Sequence, residues 1–370
     1  MNSAQKFDNM LRCIKPKDRS EIPIYPMMLT WNGAAAGYTQ AEIVADPKKW
    51  LDSQEKTFDI IGNPDVFIPN NAKDTIFVMG LPSRVPGVEL ADNELYQFVE
   101  ANAFKSDEEY DNIEKMGFNA WYNNYLMGIQ KPPIKSNFGL TFRFIKMGMQ
   151  MGKNIKQLSK RGMVPIFHTA MGPVYDTLSM VRSMEEFCYD VVDQPGRIID
   201  IINEATPGQI KLTIANVKRA KGNRVGIFAM RSSASFISPE MFGEIAWPAL
   251  KLTIEELWKE GITSVLHADG NWLPMLKFFK EVPRYSVHFE LDGVTDIFKA
   301  HAQLDGWHSI RGDVPATMLA MGTPDQVSNY CEKLITDLGM KGGFMLGSGC
   351  EVPLNAKLEN VKAMMNSLKK

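Results

Sequence analysis

Eight short apolar runs, each followed by a turn and then a segment with helical grammar, constrain this chain more than any other feature of it. They are "IPIYPMM" (22–28), "DVFIP" (65–69), "VPIFHTA" (164–170), "VGIFAM" (225–230), "TSVLHA" (263–268), "YSVHFE" (285–290), "WHSIRGD" (307–313) and "FMLGSG" (344–349). Most are apolar on both faces, as parallel strands covered on both sides must be. The segments between them start and stop as helices do. In 238–261, Ser238 is a candidate N-cap, Pro239 occupies the first helical position and Gly261 terminates. The stretch from Thr323 to Gly339 repeats the pattern. Eight strands alternating with helices predict an α/β fold, a single (β/α)8 barrel over residues 1–370. The segment 71–160 is long for one unit, so it is expected to hold an inserted hairpin within 75–90 and extra helices that cover the mouth.

Composition narrows the function. A net charge of −2 without a basic stripe argues against nucleic-acid binding. The polar opening "MNSAQKFDNMLRCIKPKDRSEIP" has no apolar signal core, and no run approaches the roughly 20 apolar residues of a membrane helix. Cys13, Cys188, Cys331 and Cys350 are scattered, which fits a reducing cytoplasm better than a disulfide framework. A metal site would therefore need more than thiolates. The methionine-rich "KMGMQMG" (146–152) reads as flexible packing material in a helix.

In a barrel of this kind the reactive groups sit where strands end and the following loops begin. That makes Trp31, Asn32, Asn70, Asn71, His168, Met171, Arg231, His267, Asp269, His288, Glu290, Asp313 and Cys350 candidates. His267 and Asp269 are two apart at the end of "TSVLHA", so both can face one space. A strand-end histidine alone is commonly a hydrogen-bonded structural residue. Here Glu290 and Cys350 are expected at the same end of the barrel, and imidazole, carboxylate and thiolate together make a zinc-type set. Tyr25, Trp31, Tyr38 and Phe236 could hold a flat ring at the mouth.

The pieces "SPEMFGEIAWPALKLTIEEL", "LHADGN", "SIRGDVPATMLAMGTPDQVSNYCEKLI" and "GGFMLGSGCEVPLNAKLENVKAMM" resemble the uroporphyrinogen decarboxylase superfamily, and its zinc-dependent, corrinoid-linked methyltransferase branch in particular. The resemblance covers roughly residues 225–370; the N-terminal half matches in layout more than in motif. That branch takes zinc ligands from a His-x-Cys motif, a later Cys and an acidic residue. The resemblance thus implies His267, Glu290 and Cys350 as ligands. Asp269 stands where the first Cys would be, and either binds zinc or orients His267 from outside the coordination sphere. Glu290 and Asp269 are also the carboxylates placed to act in catalysis, and Trp31, Asn32, Tyr38, His168 and Arg231 are the substrate-binding candidates.

The porphyrin decarboxylases carry arginines near the N-terminus that grip a polycarboxylated substrate. The corresponding "IPIYPMMLTWNGAAAGYT" has no arginine or lysine, which argues against that activity. The reading implied is a zinc-dependent methyltransferase. It would move a methyl group from a small methylated donor, with an aryl methyl ether leading, to Co(I) of a corrinoid (cobalamin). A corrinoid protein is the expected partner, because this chain lacks the Asp-x-His-x-x-Gly loop. The alternatives are methyl transfer from the corrinoid to a thiol of the coenzyme M type, and a barrel that binds a corrinoid or tetrapyrrole without catalysis. A homodimer is left open.

Overall fold

The computed structural model describes residues 1–101, 103–104 and 106–369. The barrel strands are β1 (Ile24–Met27), β2 (Val66–Phe67), β3 in two pieces (Val164–Pro165 and Thr169–Met171), β4 (Arg224–Ala229), β5 (Thr263–Ala268), β6 (Val287–Leu291), β7 (Ser309–Val314) and β8 (Phe344–Glu351). A parallel sheet runs β1-β8-β7-β6-β5-β4 and on to the second piece of β3, while β2 pairs with the first piece. Asp65 N donates to Ile24 O (3.1 Å) and so links β2 to β1. All eight runs found in the sequence contribute a strand, and the curled sheet is that of a (β/α)8-type barrel.

The third run is in two pieces because it changes partner: Val164 N and Ile166 N donate to β2, whereas His168 N and the residues after it turn to β4. The buried Arg224 guanidinium takes up the freed carbonyls of Pro165 and Ile166 at 2.9 and 3.1 Å. The helical grammar holds. Ser238 accepts from Met241 N, and Thr323 forms a capping box with Gln326 before Pro324–Asp337. Between Pro239–Met241 and Trp247–Lys259 lies a π-turn, Phe242–Ala246. Pro248 explains it: the ring cannot donate to the preceding turn and pushes its carbonyl aside.

The hairpin expected at 75–90 is displaced. Thr75–Val78 completes the helix Ala72–Val78, and the hairpin pairs Ser83–Arg84 with Gln97–Phe98. Asn71 caps that helix by accepting from Asp74 N, so "TIFV" continues a helix already started rather than opening a strand. Extra helices follow at Glu108–Met116, Phe118–Gly128 and Asn137–Ser159. At the opposite end of the barrel, Phe7 of the helix Ser3–Leu11 packs edge-on against His288 and under Arg224. Among the described residues no helix is long and apolar enough to cross a membrane.

Candidate metal centre

Parallel register builds the site. Phe228 of β4, His267 of β5, Glu290 of β6 and Arg311 of β7 are successive partners along one rung of the sheet. The inward side chains on that rung interact directly. His267 Nδ1 lies 3.1 Å from Glu290 Oε2, and Arg311 donates to Glu290 Oε1 at 3.2 Å. Arg311 is fully buried, with its guanidinium 4.7 Å from the Tyr25 ring and a 2.6 Å bond to Ser348 O. Gly347 makes room for it: a Cβ there would stand 2.9 Å from Arg311 Nε.

The other ring nitrogen faces the mouth. His267 Nε2 is 3.4 Å from Asp269 Oδ1 and 3.9 Å from Cys350 Sγ. One potential ligand atom from each of the three residues lies within 4.8 Å of the others. Zinc bonds of about 2.0–2.2 Å to N and O and about 2.3 Å to S give tetrahedral edges of roughly 3.3 Å (N to O) and 3.6 Å (N to S). The two separations from Nε2 are close to these edges and the third is within 4.8 Å, so the three residues can close round a zinc ion.

The electrostatics point the same way. Burial alone would lower the His267 pKa, yet Asp269, Cys350 and Glu290 together hold it well above its usual range. The space in front of Nε2 therefore favours positive charge. Burial works against ionisation of Glu290 too, but Arg311 and His267 keep its carboxyl below the ordinary value. With Glu290 balanced by Arg311, the carboxylate of Asp269 and the thiolate that Cys350 would become on binding a metal would supply the two negative charges a divalent cation needs.

The loop carrying Asp269 is locked on several sides. Gly270 has φ +85°, and its N–H donates to Asp292 Oδ2 at 2.8 Å. Thr295 Oγ donates to Gly270 O (2.8 Å) and accepts from Trp272 N (2.7 Å), while Trp272 Nε1 donates to Asp269 O (2.9 Å). On the other side, Ser348 Oγ donates to Cys350 O (2.6 Å) and accepts from Met27 N (3.1 Å). Donor groups held this way keep their geometry without a bound ion.

The structure brings together His267, Asp269, Glu290 and Cys350, but Glu290 stands outside the three-atom cluster. Arg311 and the Nδ1 edge of His267 occupy its two oxygens, so it backs the histidine instead of facing the mouth. The substrate candidates divide further. Arg231 lies just beyond the end of β4 and donates to Ser179 O (2.9 Å). Trp31 is buried with its indole on Ala356 O, and Asn32 is buried against Ser53. Tyr38 is tied to Asp52 and Lys56 on the outer helix Pro47–Ile61. His168 sits at the wrong end altogether: its N–H bonds to Arg224 O at the start of β4, where a Cβ on Gly222 would strike its ring. The break in the third strand puts His168 before the second piece, not after it.

Four residues near the site were not singled out by sequence. Arg311 and Asp292 become visible only through register and loop contacts. Glu351 Oε1 accepts from Thr30 N (2.7 Å), Leu29 N (3.3 Å) and the Thr30 hydroxyl, and burial pushes the carboxyl up to about 7. Tyr96 comes from the inserted hairpin region. Burial, with Glu351 and Cys350 nearby, raises its phenol far above the ordinary value and keeps it a neutral donor. No local pattern could have assigned Tyr96 to this place.

Comparison with known proteins agrees with this architecture. A methyltransferase from Methanosarcina mazei superposes with a TM-score of 0.72 over 100% of this chain and 98% of its own, at 14% sequence identity. No curated protein sequence matches the chain. The family model for uroporphyrinogen decarboxylase (URO-D) matches residues 148–370, more than half of the sequence and every strand from the first piece of β3 onward. The chain therefore belongs to the uroporphyrinogen decarboxylase family.

Proposed function

We propose that this protein is a zinc-dependent methyltransferase that takes a methyl group from a small methylated donor and passes it to Co(I) of a corrinoid on a separate protein. The observation that carries the reading is the cluster of His267 Nε2, Asp269 Oδ1 and Cys350 Sγ at the mouth of a URO-D barrel. The fold shared with a protein named as a methyltransferase supports it. Porphyrin decarboxylation is disfavoured, because residues 22–39 offer no basic side chain to a polycarboxylate.

Zinc held by His267, Asp269 and Cys350 would act as a Lewis acid, withdrawing charge from the donor's leaving atom. Lowering the pKa of a bound water from 15.7 to about 7 corresponds to on the order of 10 kcal/mol, an upper limit for a leaving alkoxide or phenoxide. Replacing one thiolate of the resembled ligand pattern by Asp269 hardens the site and favours oxygen over sulfur. An aryl methyl ether is therefore the leading donor. Zinc at His267, Asp269 and Cys350 would ease departure of the oxygen as a phenoxide. The Co(I) of the corrinoid would supply the electron pair for the new bond to the methyl carbon as the C–O bond broke.

The chain's own groups prepare that event. Glu290 accepts the hydrogen bond of His267 Nδ1–H and so leaves the Nε2 lone pair directed outward. Arg311 fixes Glu290 and cancels its charge. The test is to supply a Co(I) corrinoid protein and follow the optical change that accompanies methylation of cobalt. Methoxybenzenes, methanol, methylamines and methylthiols are compared as donors. Reaction with a methoxybenzene is expected. Reaction with a methylthiol alone would overturn the aryl-ether assignment. Consumption of methyl-corrinoid by a free thiol, with no donor active, would reverse the direction of transfer.

A further inference from the structure

The helix Asn137–Ser159 buries Leu140, Asn154 and Leu158 against the barrel, yet its opposite side is not simply polar. Phe138, Phe142, Ile145 and Met149 are 81%, 51%, 52% and 56% exposed. Their spacing of four, three and four puts them in one row within an arc of roughly 60° on a helix of 3.6 residues per turn. A row of four large exposed apolar side chains is unusual on a soluble domain and marks a binding surface.

The row's width and borders identify what it fits. Phe144, 38% exposed, lies outside this row and turns its ring onto Phe77. The unpartnered row so keeps the width of a coiled-coil seam, whereas a membrane-lying helix presents a broad apolar face with no such internal partner. Gly148 and Gly152 border the row, and a Cβ added at either would meet nothing within 4 Å. They leave open space in which a second backbone could approach closely. The helix carries Arg143, Lys146, Lys153 and Lys156 and no acidic residue. Arg143 is bound inward to Asp74 at 2.8 Å, while Lys146, Lys153 and Lys156 make no ion pair among the described residues. A second copy of this helix would bring like charges together; an acidic helix would neutralise them.

The geometry points to the outer face of Asn137–Ser159 as a docking seam for an acidic amphipathic helix of a partner protein. The Phe77–Phe144 ring contact and the Arg143–Asp74 pair set the N-terminal half of the seam against Ala72–Val78, the helix that follows β2. The partner would therefore dock beside the mouth of the barrel. This inference is independent of the metal centre.

The probe is a synthetic acidic heptad peptide with Leu at a and d and Glu at e and g, labelled for fluorescence anisotropy. The same peptide with Lys at e and g serves as control. The acidic peptide should bind the full-length protein, lose affinity as salt rises, and bind Phe142→Asp at least about tenfold more weakly. The Lys peptide should not bind. Circular dichroism checks the fold of the variant, and Lys153→Glu, which leaves the apolar row intact, should also weaken binding. Equal binding of both peptides, or of neither, would overturn the proposal. So would Phe142-dependent capture of the protein by phosphatidylserine vesicles, or a Phe142-dependent dimer in sedimentation.

Discussion

His267 Nδ1 stands 3.1 Å from Glu290 Oε2, and this contact leaves Nε2 as the nitrogen that meets Asp269 and Cys350. An imidazole donates from one nitrogen and binds a metal through the other, so the carboxylate decides which edge is available. The purified protein should accordingly hold about one zinc per chain. Cys350→Ala and Asp269→Asn should lose most of it. Glu290→Gln should retain zinc with affinity lower by about 10–100-fold, the usual cost of removing a partner behind the ligand. Elemental analysis and competition with a chromophoric chelator measure both. Complete loss in Glu290→Gln, with metal kept in Asp269→Asn, would exchange the roles of the two carboxylates.

The Glu290–Arg311 pair sits where neither partner reaches water. Removing one charge strands the other, at a cost of about 3–5 kcal/mol. Arg311→Leu in the metal-free protein should lose that much stability in urea denaturation. Adding Glu290→Gln should recover part of it. If the double variant is no more stable than Arg311→Leu, the loss lies in packing against Tyr25 and not in the stranded charge.

Gly270 combines a φ of +85° with close neighbours: a Cβ would lie 2.5 Å from Ser233 Oγ. Gly270→Ala therefore adds backbone strain to a steric clash, each on the order of 1 kcal/mol or more. The variant should unfold earlier and bind zinc more weakly, because the displaced turn carries Asp269. Unchanged zinc affinity would mean that Trp272 and Thr295 hold Asp269 without help from the turn.

Asp176 gives a pH-dependent prediction away from the metal ligands. Burial pushes its carboxyl up to about 6, although Arg231 N (2.7 Å) and Ser232 N (3.2 Å) both donate to it. A raised acid pKa means the native state prefers the protonated form. Its stabilising contribution is complete below about 3.8 and is lost as pH rises through about 6. Asp176→Asn, uncharged throughout, should gain on the wild type by roughly 2–2.5 kcal/mol between pH 4 and 7. Urea titrations at several pH values would show the difference. A constant gap across that range would place the Asp176 pKa near its ordinary value.

Much of the barrel was legible in sequence because its strands announce themselves locally. "TSVLHA" is strand β5 over its full length, and "FMLGSG" needs only two further residues to become β8. The capped helices were equally plain, since Ser238 and Thr323 satisfy nearby backbone donors whatever the rest of the chain does. The hairpin at 75–90 failed for the converse reason. "TIFV" is apolar and β-prone, but Asn71 had already started a helix through it. His168 failed because the third run switches from β2 to β4 at this point, so the strand end lies beyond it.

The sequence by itself determined which chemical types the centre would contain. A histidine, two carboxylates and a thiol end consecutive or nearby strands, and strand ends converge in any barrel of this topology. Only the tertiary structure decided their parts. Asp269 and Glu290 are the same kind of group at the sequence level. The register of β5, β6 and β7 sets Glu290 between His267 and Arg311, behind the ring, while the turn held by Asp292 carries Asp269 round to the front. That difference is one of direction, not composition. Direction is fixed by packing among strands far apart in the chain, which no local window contains.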